Sequence, residues 1–400
     1  MKLHGRVTLA TLFTLLTALV FYRYSIFDSD HALQWREPLD LKIYALAGKD
    51  VAEGGLLYDA PYIGDLPFTY PPFAGVVFQG LAALSADTVF VLWQFGTAFA
   101  LLAVVLLVLR NRNVQLDWLT VYIAACATFC SLALAPVAGT LFFGQINIFL
   151  MLLVALDFLP KKYRLPGVGI GLAAGMKLTP AYLGLVLLFQ RRWGAACGSM
   201  LTFMATAGIG FLLIPDARDF WSDAVFRSSR VGVHENGGAM AVRSVFHRAF
   251  DIDGGPVWIL AIVVIVLINC AAVSVACARH NGAAAMAFTG LGACLVSPFS
   301  WFHHFVWLVP LLVLILVGTN RYLGPKIGSQ AAGLISFLAM ALAALPWLSQ
   351  PVARSVSFYQ LNNLDELAPW GTLLFSGAVV IYMAVYAASG FFTLRGRSRF

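Results

Sequence analysis

The feature that most constrains the fold of this chain is a series of apolar segments long enough to cross a bilayer. A helix of about 20 residues spans the hydrocarbon core. Ten segments of roughly this length lie at 7–27, 87–109, 118–135, 143–159, 194–214, 256–278, 283–299, 304–319, 330–348 and 370–390. Only 11% of the residues are charged, against about 25% in soluble domains. We therefore expect an all-α polytopic membrane protein with a single domain over residues 1–400.

Basic residues beside these segments predict the orientation, because Lys and Arg are enriched in cytoplasmic loops. The residues concerned are Lys2, Arg6, Arg110, Arg112, Lys161, Lys162, Arg164, Arg191, Arg192, Arg279, Arg321, Lys326, Arg395 and Arg397. Placing them all inside puts both termini in the cytoplasm and leaves outer loops at 28–86, 136–142, 215–255, 299–304 and 349–369. The candidate functional residues then lie on or beside the outer face: Asp40, Gln145, Lys177, Arg243, Arg248, His303 and His304.

Two further apolar stretches set the expected number of membrane helices at ten to twelve. Residues 68–83 are too short to span, which predicts a re-entrant or interfacial helix if Arg110 is inside. Residues 166–189 have basic clusters at both ends but cannot hold two full spans. They form either two half-helices broken at Lys177-Leu-Thr-Pro180, or one span that violates the positive-inside rule.

Ionisable residues inside apolar stretches are costly and are functional candidates. His303 and His304 lie in the run Ser297–Pro310. They suit a metal site, a proton relay, or a hydrogen-bonding or cationic clamp on phosphate. We expect no metal, because further ligands at suitable spacing are missing. Adjacent helical residues point about 100° apart, so one of the two should face the site. Lys177 requires a partner or a phosphate, with snorkelling as the alternative.

The first outer loop supplies a candidate base. Asp40 follows Pro38, and Leu39, Ile43 and Leu46 recur at helical spacing, which predicts a helix along the membrane surface. Asp40 is therefore either an N-terminal cap or a general base.

Amide and aromatic side chains are candidates for contacts with a substrate. Gln145 and Asn147 begin an apolar segment at its outer end. They could hydrogen-bond a sugar or join helices. Tyr70 lies in Phe68–Phe73, whose aromatic residues could equally anchor the chain at the interface.

Six segments in order along the chain resemble glycosyltransferase family 87, the polyprenol-phosphate-mannose-dependent α-mannosyltransferases of actinobacteria. They are Asp40–Tyr44, Pro67–Ala74, Phe143–Asn147, Gly175–Pro180, Arg230–Gly232 and Ser297–Pro310. The resemblance implies a GT-C fold that transfers mannose from a lipid phosphate donor on the outer face. It also implies that Asp40 is the catalytic aspartate and that His303 and His304 lie near the donor.

One stretch departs from the family pattern. Members of the family carry an Asn-Gln-Ser run before an arginine in the large outer loop, where this chain reads Ala239-Met-Ala-Val-Arg243. The arginine is kept and the amides are not. The acceptor therefore stays open among phosphatidylinositol mannosides, lipomannan branches and a related glycolipid.

The predicted function combines the outer-face site with the resemblance. An outer site cannot use a cytosolic nucleotide sugar and needs a polyprenyl-phosphate sugar. We expect inverting transfer with Asp40 as base and with Lys177, Arg243 and one histidine stabilising the phosphate. Tyr70, Gln145, Asn147 and Arg248 are expected to bind substrate. No cofactor and no nucleic-acid partner is expected, and the location is the plasma membrane. The alternatives are a polyprenyl-phosphate arabinose transferase and a proton-coupled transporter or lipid flippase.

Overall fold

The structure is a computed structural model that describes residues 2–25, 38–160, 166–349 and 369–397. These residues form seventeen α-helices. The first nine are α1 (Leu3–Ser25), α2 (Leu39–Ala52), α3 (Pro72–Phe78), α4 (Ala86–Asn111), α5 (Trp118–Cys130), α6 (Ala135–Phe143), α7 (Asn147–Phe158), α8 (Val168–Met176) and α9 (Gly184–Phe189). The others are α10 (Trp193–Leu213), α11 (Ala217–Ser222), α12 (Val242–Phe250), α13 (Gly255–Ala278), α14 (Gly282–Val296), α15 (Leu308–Ile327), α16 (Ser329–Ala344) and α17 (Pro369–Arg397).

Short 3-10 turns connect or extend several of these helices. They lie at Gln79–Leu81, Ser131–Ala133, Thr179–Leu183, Ala224–Phe226, Ser228–Arg230, Phe302–Trp307 and Leu345–Trp347. Polar caps begin three of the apolar helices: the side chains of Ser85, Asp117 and Asn281 accept backbone N–H bonds at the start of α4, α5 and α14. These bonds satisfy donors that the first turn of a helix leaves free.

Seven segments of the described chain are long and apolar enough to cross a membrane. They are Leu3–Arg23, Ala86–Asn111, Trp193–Leu213, Gly255–Ala278, Phe302–Ile327, Ser329–Trp347 and Gly371–Gly390. The polytopic all-helical class is therefore confirmed. The other three predicted segments form helices too short to span alone: α5, α14, and α7, which meets α6 at a bend of 116°. If the bent pair counts as one span the number is eight, still below the ten to twelve expected.

The two irregular stretches are short helices, as their lengths predicted. Residues 72–81 form α3 and a 3-10 turn. In the second stretch α8 ends at Met176, Lys177 is extended, and a 3-10 turn from Thr179 leads into α9. The half-helix interpretation is confirmed, and the helix breaks at the lysine itself. Such a break leaves backbone polar groups that need protein or water partners.

Residues expected on the cytoplasmic side contact one another. Arg6 forms an ion pair with Asp117, and Arg321 donates to the carbonyl of Arg112. Arg192 Nη1 donates to the carbonyl of Asp157 at 3.2 Å. Each of these basic residues thus bonds a segment that is distant in the sequence. Lys161, Lys162, Arg164 and the outer-loop residues 28–37 and 350–368 lie outside the described residues.

The centre of the bundle is α14, whose residues from Ala283 to Leu295 are buried. Small residues let neighbours approach closely: a Cβ on Gly290 would lie 2.1 Å from Trp307 Cδ2. Large apolar side chains on α10 and α13 are exposed instead, Leu212 at 83%, as expected for lipid-facing helices. The packed centre holds the 3-10 turn Phe302–Trp307, which carries both histidines.

Candidate active site

Asp40 lies in the first turn of α2 and is not its cap. Pro38 occupies the N-cap position, and the helix has no side-chain cap bond. Instead, Asp40 Oδ2 accepts a hydrogen bond of 2.6 Å from Gln145 Nε2. The cap interpretation is therefore wrong, and the carboxylate is available for chemistry. Burial raises the pKa of Asp40 to about 6, although the Gln145 bond and the positive charge of Lys177 oppose that rise.

The helix predicted on the spacing of Leu39, Ile43 and Leu46 is present as α2. Ile43 is buried, and Leu46 is 40% exposed. Tyr44 is buried and stacks on Phe78 of α3 with 4.4 Å between ring centroids. α3 therefore packs along the Tyr44 face of α2, and Asp40 contacts the bend between α6 and α7 through Gln145.

The bend between α6 and α7 brings Gln145 to Asp40. Gly144 has φ +68°, and a Cβ there would lie 2.6 Å from Leu41 Cβ and 2.9 Å from Pro38 Cβ. Glycine therefore allows both the left-handed turn and the close approach to α2.

Gln145 joins Asp40 to two tyrosines. Its Oε1 accepts from the Tyr70 hydroxyl at 3.1 Å and from the Tyr44 hydroxyl at 3.5 Å. The two hydroxyl oxygens are 2.7 Å apart. Gln145 thus bonds protein groups on both sides of its amide.

Lys177 lies at the other end of this network. Its Nζ donates to Asn147 Oδ1 at 3.0 Å, to His304 Nε2 at 3.1 Å and to the Tyr70 hydroxyl at 3.4 Å. The ammonium also lies over the Tyr70 ring, 5.1 Å from its centroid. Lys177 therefore has internal partners and does not snorkel.

The two histidines have different surroundings. His304 accepts from Lys177 at Nε2, which requires a neutral ring, so the structure favours Lys177 over His304 as the cation. His303 is 3% exposed, and neither of its ring nitrogens has a partner in the described part of the chain. Its ring stacks against Trp301, and its carbonyl accepts from Asn147 Nδ2 at 3.1 Å. Asn147 therefore joins two helical elements and supports Lys177.

A cavity of about 490 Å³ opens beside this network. Its polar and charged lining includes Asp40, Tyr70, Gln145, Lys177, Arg227, Arg230 and His304. Its apolar lining includes Ile43, Leu66, Leu178, Phe220, Val225, Val296, Phe299 and Trp301. His303 and Asn147 do not line it. One histidine faces the site, as the sequence predicted, and it is His304.

The two arginines predicted to bind substrate do not line this cavity. Arg243 forms an ion pair with Asp253, Nε to Oδ1 2.8 Å. Arg248 donates to backbone carbonyls of the same outer loop, those of His234, Asn236 and Ala239. The structure thus gives both arginines roles within the loop.

Two other arginines of the large outer loop, Arg227 and Arg230, lie at the cavity. Arg227 also forms an ion pair with Asp223. Nε and Nη2 of Arg230 are buried and lack partners among the described residues. The sequence signal was the motif Arg230–Gly232, which supported the family resemblance but received no role.

The described residues contain no group of three or more His, Cys, Asp or Glu side chains placed to hold a metal ion. A metal role for the histidine pair therefore finds no further ligands in that part of the chain. The polar groups at the cavity suit proton transfer and stabilisation of an anion.

Comparison with known proteins identifies the family. The profile of glycosyltransferase family 87 matches residues 68–298. The chain belongs to glycosyltransferase family 87. This confirms the resemblance that the six ordered segments predicted, and it makes the chain a membrane glycosyltransferase.

Curated relatives cover most of the chain. One from Mycolicibacterium smegmatis is named polyprenol-phosphate-mannose-dependent alpha-(1-2)-phosphatidylinositol pentamannoside mannosyltransferase. It is 33% identical over 355 residues, which are 86% of this chain and 82% of the relative. A Mycobacterium tuberculosis protein of the same name is 31% identical, over 88% of this chain and 81% of its own.

A second M. tuberculosis relative is named polyprenol-phosphate-mannose-dependent alpha-(1-2)-phosphatidylinositol mannoside mannosyltransferase. It is 29% identical over 71% of each chain. No solved structure matches this chain.

Proposed function

We propose that this glycosyltransferase moves a mannosyl group from polyprenyl-phosphate mannose to a mannosylated glycolipid of the phosphatidylinositol mannoside or lipomannan type. The reaction takes place at the outer face of the plasma membrane and inverts the anomeric configuration. The names of the relatives support both the donor and the acceptor class. They favour mannose over the arabinose alternative.

The single observation that carries the mechanism is the position of Asp40 at the wall of the cavity, where only one of its oxygens is hydrogen-bonded to a described residue. As the acceptor hydroxyl oxygen attacks the anomeric carbon, its proton passes to Asp40. The bond from that carbon to the phosphate oxygen breaks, and the electron pair leaves with polyprenyl phosphate. A positioned base contributes about 10²–10⁴-fold to such a step. One carboxylate at the cavity supports direct displacement without a covalent glycosyl-enzyme.

Charge stabilisation of the leaving phosphate falls to Lys177, with His304 holding its ammonium. Arg230 adds a second cation at the same cavity. A leaving phosphate needs this stabilisation more than it needs a proton. The reaction requires no metal, so transfer persists in excess chelator; loss of transfer that a divalent ion restores would contradict this.

The outer-face location is supported by the assignment of the basic turns to the cytoplasm. The contacts of Arg6, Arg321 and Arg192 gather residues that the positive-inside rule assigns to the cytoplasm. The site residues come from other segments, at the ends assigned to the outside. The transporter alternative requires a midplane site between opposed halves, and family membership argues against it.

The test is a transfer assay with purified protein in lipid nanodiscs and labelled polyprenyl-phosphate mannose. A panel of phosphatidylinositol mannosides and lipomannan fragments serves as acceptors. We expect label in at least one glycolipid and, for Asp40→Asn, a loss of about 10²-fold or more. Asp59→Asn is the matched control, because Asp59 is an exposed carboxyl in the same outer loop. Wild-type transfer by Asp40→Asn would refute the base, and absence of label from every acceptor would refute the proposed reaction.

A further inference from the structure

The hydrogen bonds from Lys177 to Asp40 form a chain with one possible direction. An ammonium only donates and a carboxylate only accepts. Lys177 therefore donates to the Tyr70 oxygen. The Tyr44 and Tyr70 oxygens, 2.7 Å apart, share one of the two hydroxyl protons, and the other proton is donated to Gln145 Oε1 from Tyr70 or from Tyr44. In either case the amide nitrogen of Gln145 must face Asp40 Oδ2.

The opposite orientation of the Gln145 amide is unfavourable at both ends. It would place Oε1 against the Asp40 carboxylate, two acceptors without a proton between them. It would also turn the amide N–H groups towards the Tyr44–Tyr70 pair, which uses one hydroxyl proton between its two oxygens and would have no acceptor at Gln145 for the other. An unmet buried polar group costs about 1–3 kcal/mol, so the tyrosine bonds select one orientation.

We propose that Gln145 is a positioning residue for Asp40, and that Tyr70 holds the Gln145 amide in the orientation that this task requires. This inference rests on the proposed function, because it takes Asp40 as the base. The Gln145 bond occupies Oδ2 and leaves Oδ1 of Asp40 for the acceptor hydroxyl. It also stabilises the charged carboxylate, which a base must be before it accepts a proton.

This role differs from the direct sugar contact that the sequence suggested for Gln145 and Tyr70. Both polar ends of the Gln145 amide are engaged with protein, and the Tyr70 hydroxyl bonds Lys177, Tyr44 and Gln145. These side chains reach the cavity wall, but their hydrogen-bonding capacity is directed along the chain to Asp40.

Few other ionisable groups act on Asp40. On α2, Tyr44 lies one turn away and Lys42 is exposed. Tyr70 and Lys177 face it from other segments. Among the described elements, those that pack most closely on α2 are α3, the 3-10 turn that follows α3, and α6, and none of these three contains an ionisable side chain. Trp93 of α4 also contacts Tyr44. The state of Asp40 is therefore sensitive to the Gln145 bond.

The experiment compares pH profiles of kcat and KM for Gln145→Met and Tyr70→Phe, which keep the shape and remove the bonds. Both variants should lower kcat by about 10-fold to 10²-fold, the cost of a loosely positioned group. Both should leave the donor KM near wild type and move the acid limb of the kcat/KM profile to higher pH. Tyr58→Phe is the matched control, because the Tyr70 carbonyl, at 2.8 Å, is the only partner of its hydroxyl among the described residues; its profile should not move.

A further variant, Gln145→Glu, keeps the bond to Tyr70 and adds a second carboxyl beside Asp40. Because like charges oppose ionisation, its acid limb should move further than that of Gln145→Met. If kcat falls in the Gln145 and Tyr70 variants but the acid limb does not move, these side chains only support the local fold, and the inference is overturned. A raised KM with unchanged kcat would mean that Gln145 binds substrate, and would also overturn it. Asp40→Asn distinguishes failure of this inference from failure of the proposed function: wild-type activity in that variant refutes the role of Asp40 as the base.

Discussion

His303 and His304 are adjacent in the chain but have different roles at the scale of single residues. His304 lines the cavity and accepts from Lys177, whereas His303 is packed against Trp301 behind it. The buried nitrogens of His303 contribute no hydrogen bond to a described side chain. The His304 ring therefore orients Lys177, and the His303 ring contributes packing.

This difference predicts unequal effects of the same substitution. His304→Phe removes the acceptor for Lys177, and transfer should fall about 10²-fold, as when one preorganised polar group is lost from an active site. His303→Phe keeps an aromatic ring in the stack and should retain most of the activity. Steady-state transfer rates of the two purified variants check this prediction; equal losses would contradict it.

The raised pKa of Asp40 sets a pH dependence at the same scale. A general base works as the carboxylate, so activity should be full above a pKa of about 6 and should fall as the pH drops through that value. An exposed aspartate would place this limb about two units lower. The kcat/KM profile of the wild-type enzyme measures the limb directly, and an acid limb near pH 4 would show that burial does not raise the pKa of Asp40.

At the scale of elements, the site depends on where helices are broken. The bend between α6 and α7 presents Gln145 and Asn147, and the break after α8 presents Lys177. If these helices were continuous, the polar side chains would be buried along the sides of separate helices and would not contact one another. Each break thus lets a polar residue, whose burial in an apolar stretch would cost free energy, line the cavity.

Gly144 offers the test of the α6–α7 bend. Gly144→Ala puts a Cβ on a residue with φ +68° and within 2.6 Å of Leu41 Cβ. The strain should cost about 1–3 kcal/mol and displace α2, so both thermal stability and transfer should fall. Gly208→Ala is the control, because its Cβ would meet nothing within 4 Å inside α10; it should be neutral. A stable and active Gly144→Ala enzyme would show that the bend tolerates a side chain.

At the scale of the whole molecule, the basic turns and the cavity are built from different segments. The basic turns contact neighbouring segments through Arg6–Asp117 and Arg321–Arg112, whereas the cavity lies between α2, the broken helices and the loop that contains Arg227 and Arg230. The lipid-linked donor and acceptor that we propose would both reach this cavity from the bilayer.

The proposed orientation predicts which positions a membrane-impermeant thiol reagent can reach. Ser229 is exposed beside the cavity. The cysteine in Ser229→Cys should therefore be labelled in intact cells. Gln115→Cys is exposed between α4 and α5 and should be labelled only after permeabilisation. The native chain gives the background from its own cysteines. The reverse pattern of labelling would place the active site in the cytoplasm.

The sequence determined those features of this protein that depend on the length and polarity of single segments. The apolar segments determined the membrane class, because a soluble domain could not bury so many apolar residues in its core. The short stretch 166–189 narrowed the choice to two half-helices broken at Lys177 or one span, and ordered motifs predicted the family. These conclusions depend on local composition or on residues that stand out one at a time.

Contacts between distant segments decided the rest. Only packing showed that Tyr44 lies on the buried face of α2, and that His304 is the histidine at the cavity. Packing also distinguishes the arginines: Arg243 and Arg248, which the sequence offered as substrate ligands, bond within their loop, while Arg227 and Arg230 line the cavity. A sequence gives the position of a charge along the chain, but the direction of its side chain depends on neighbours that folding brings from far away.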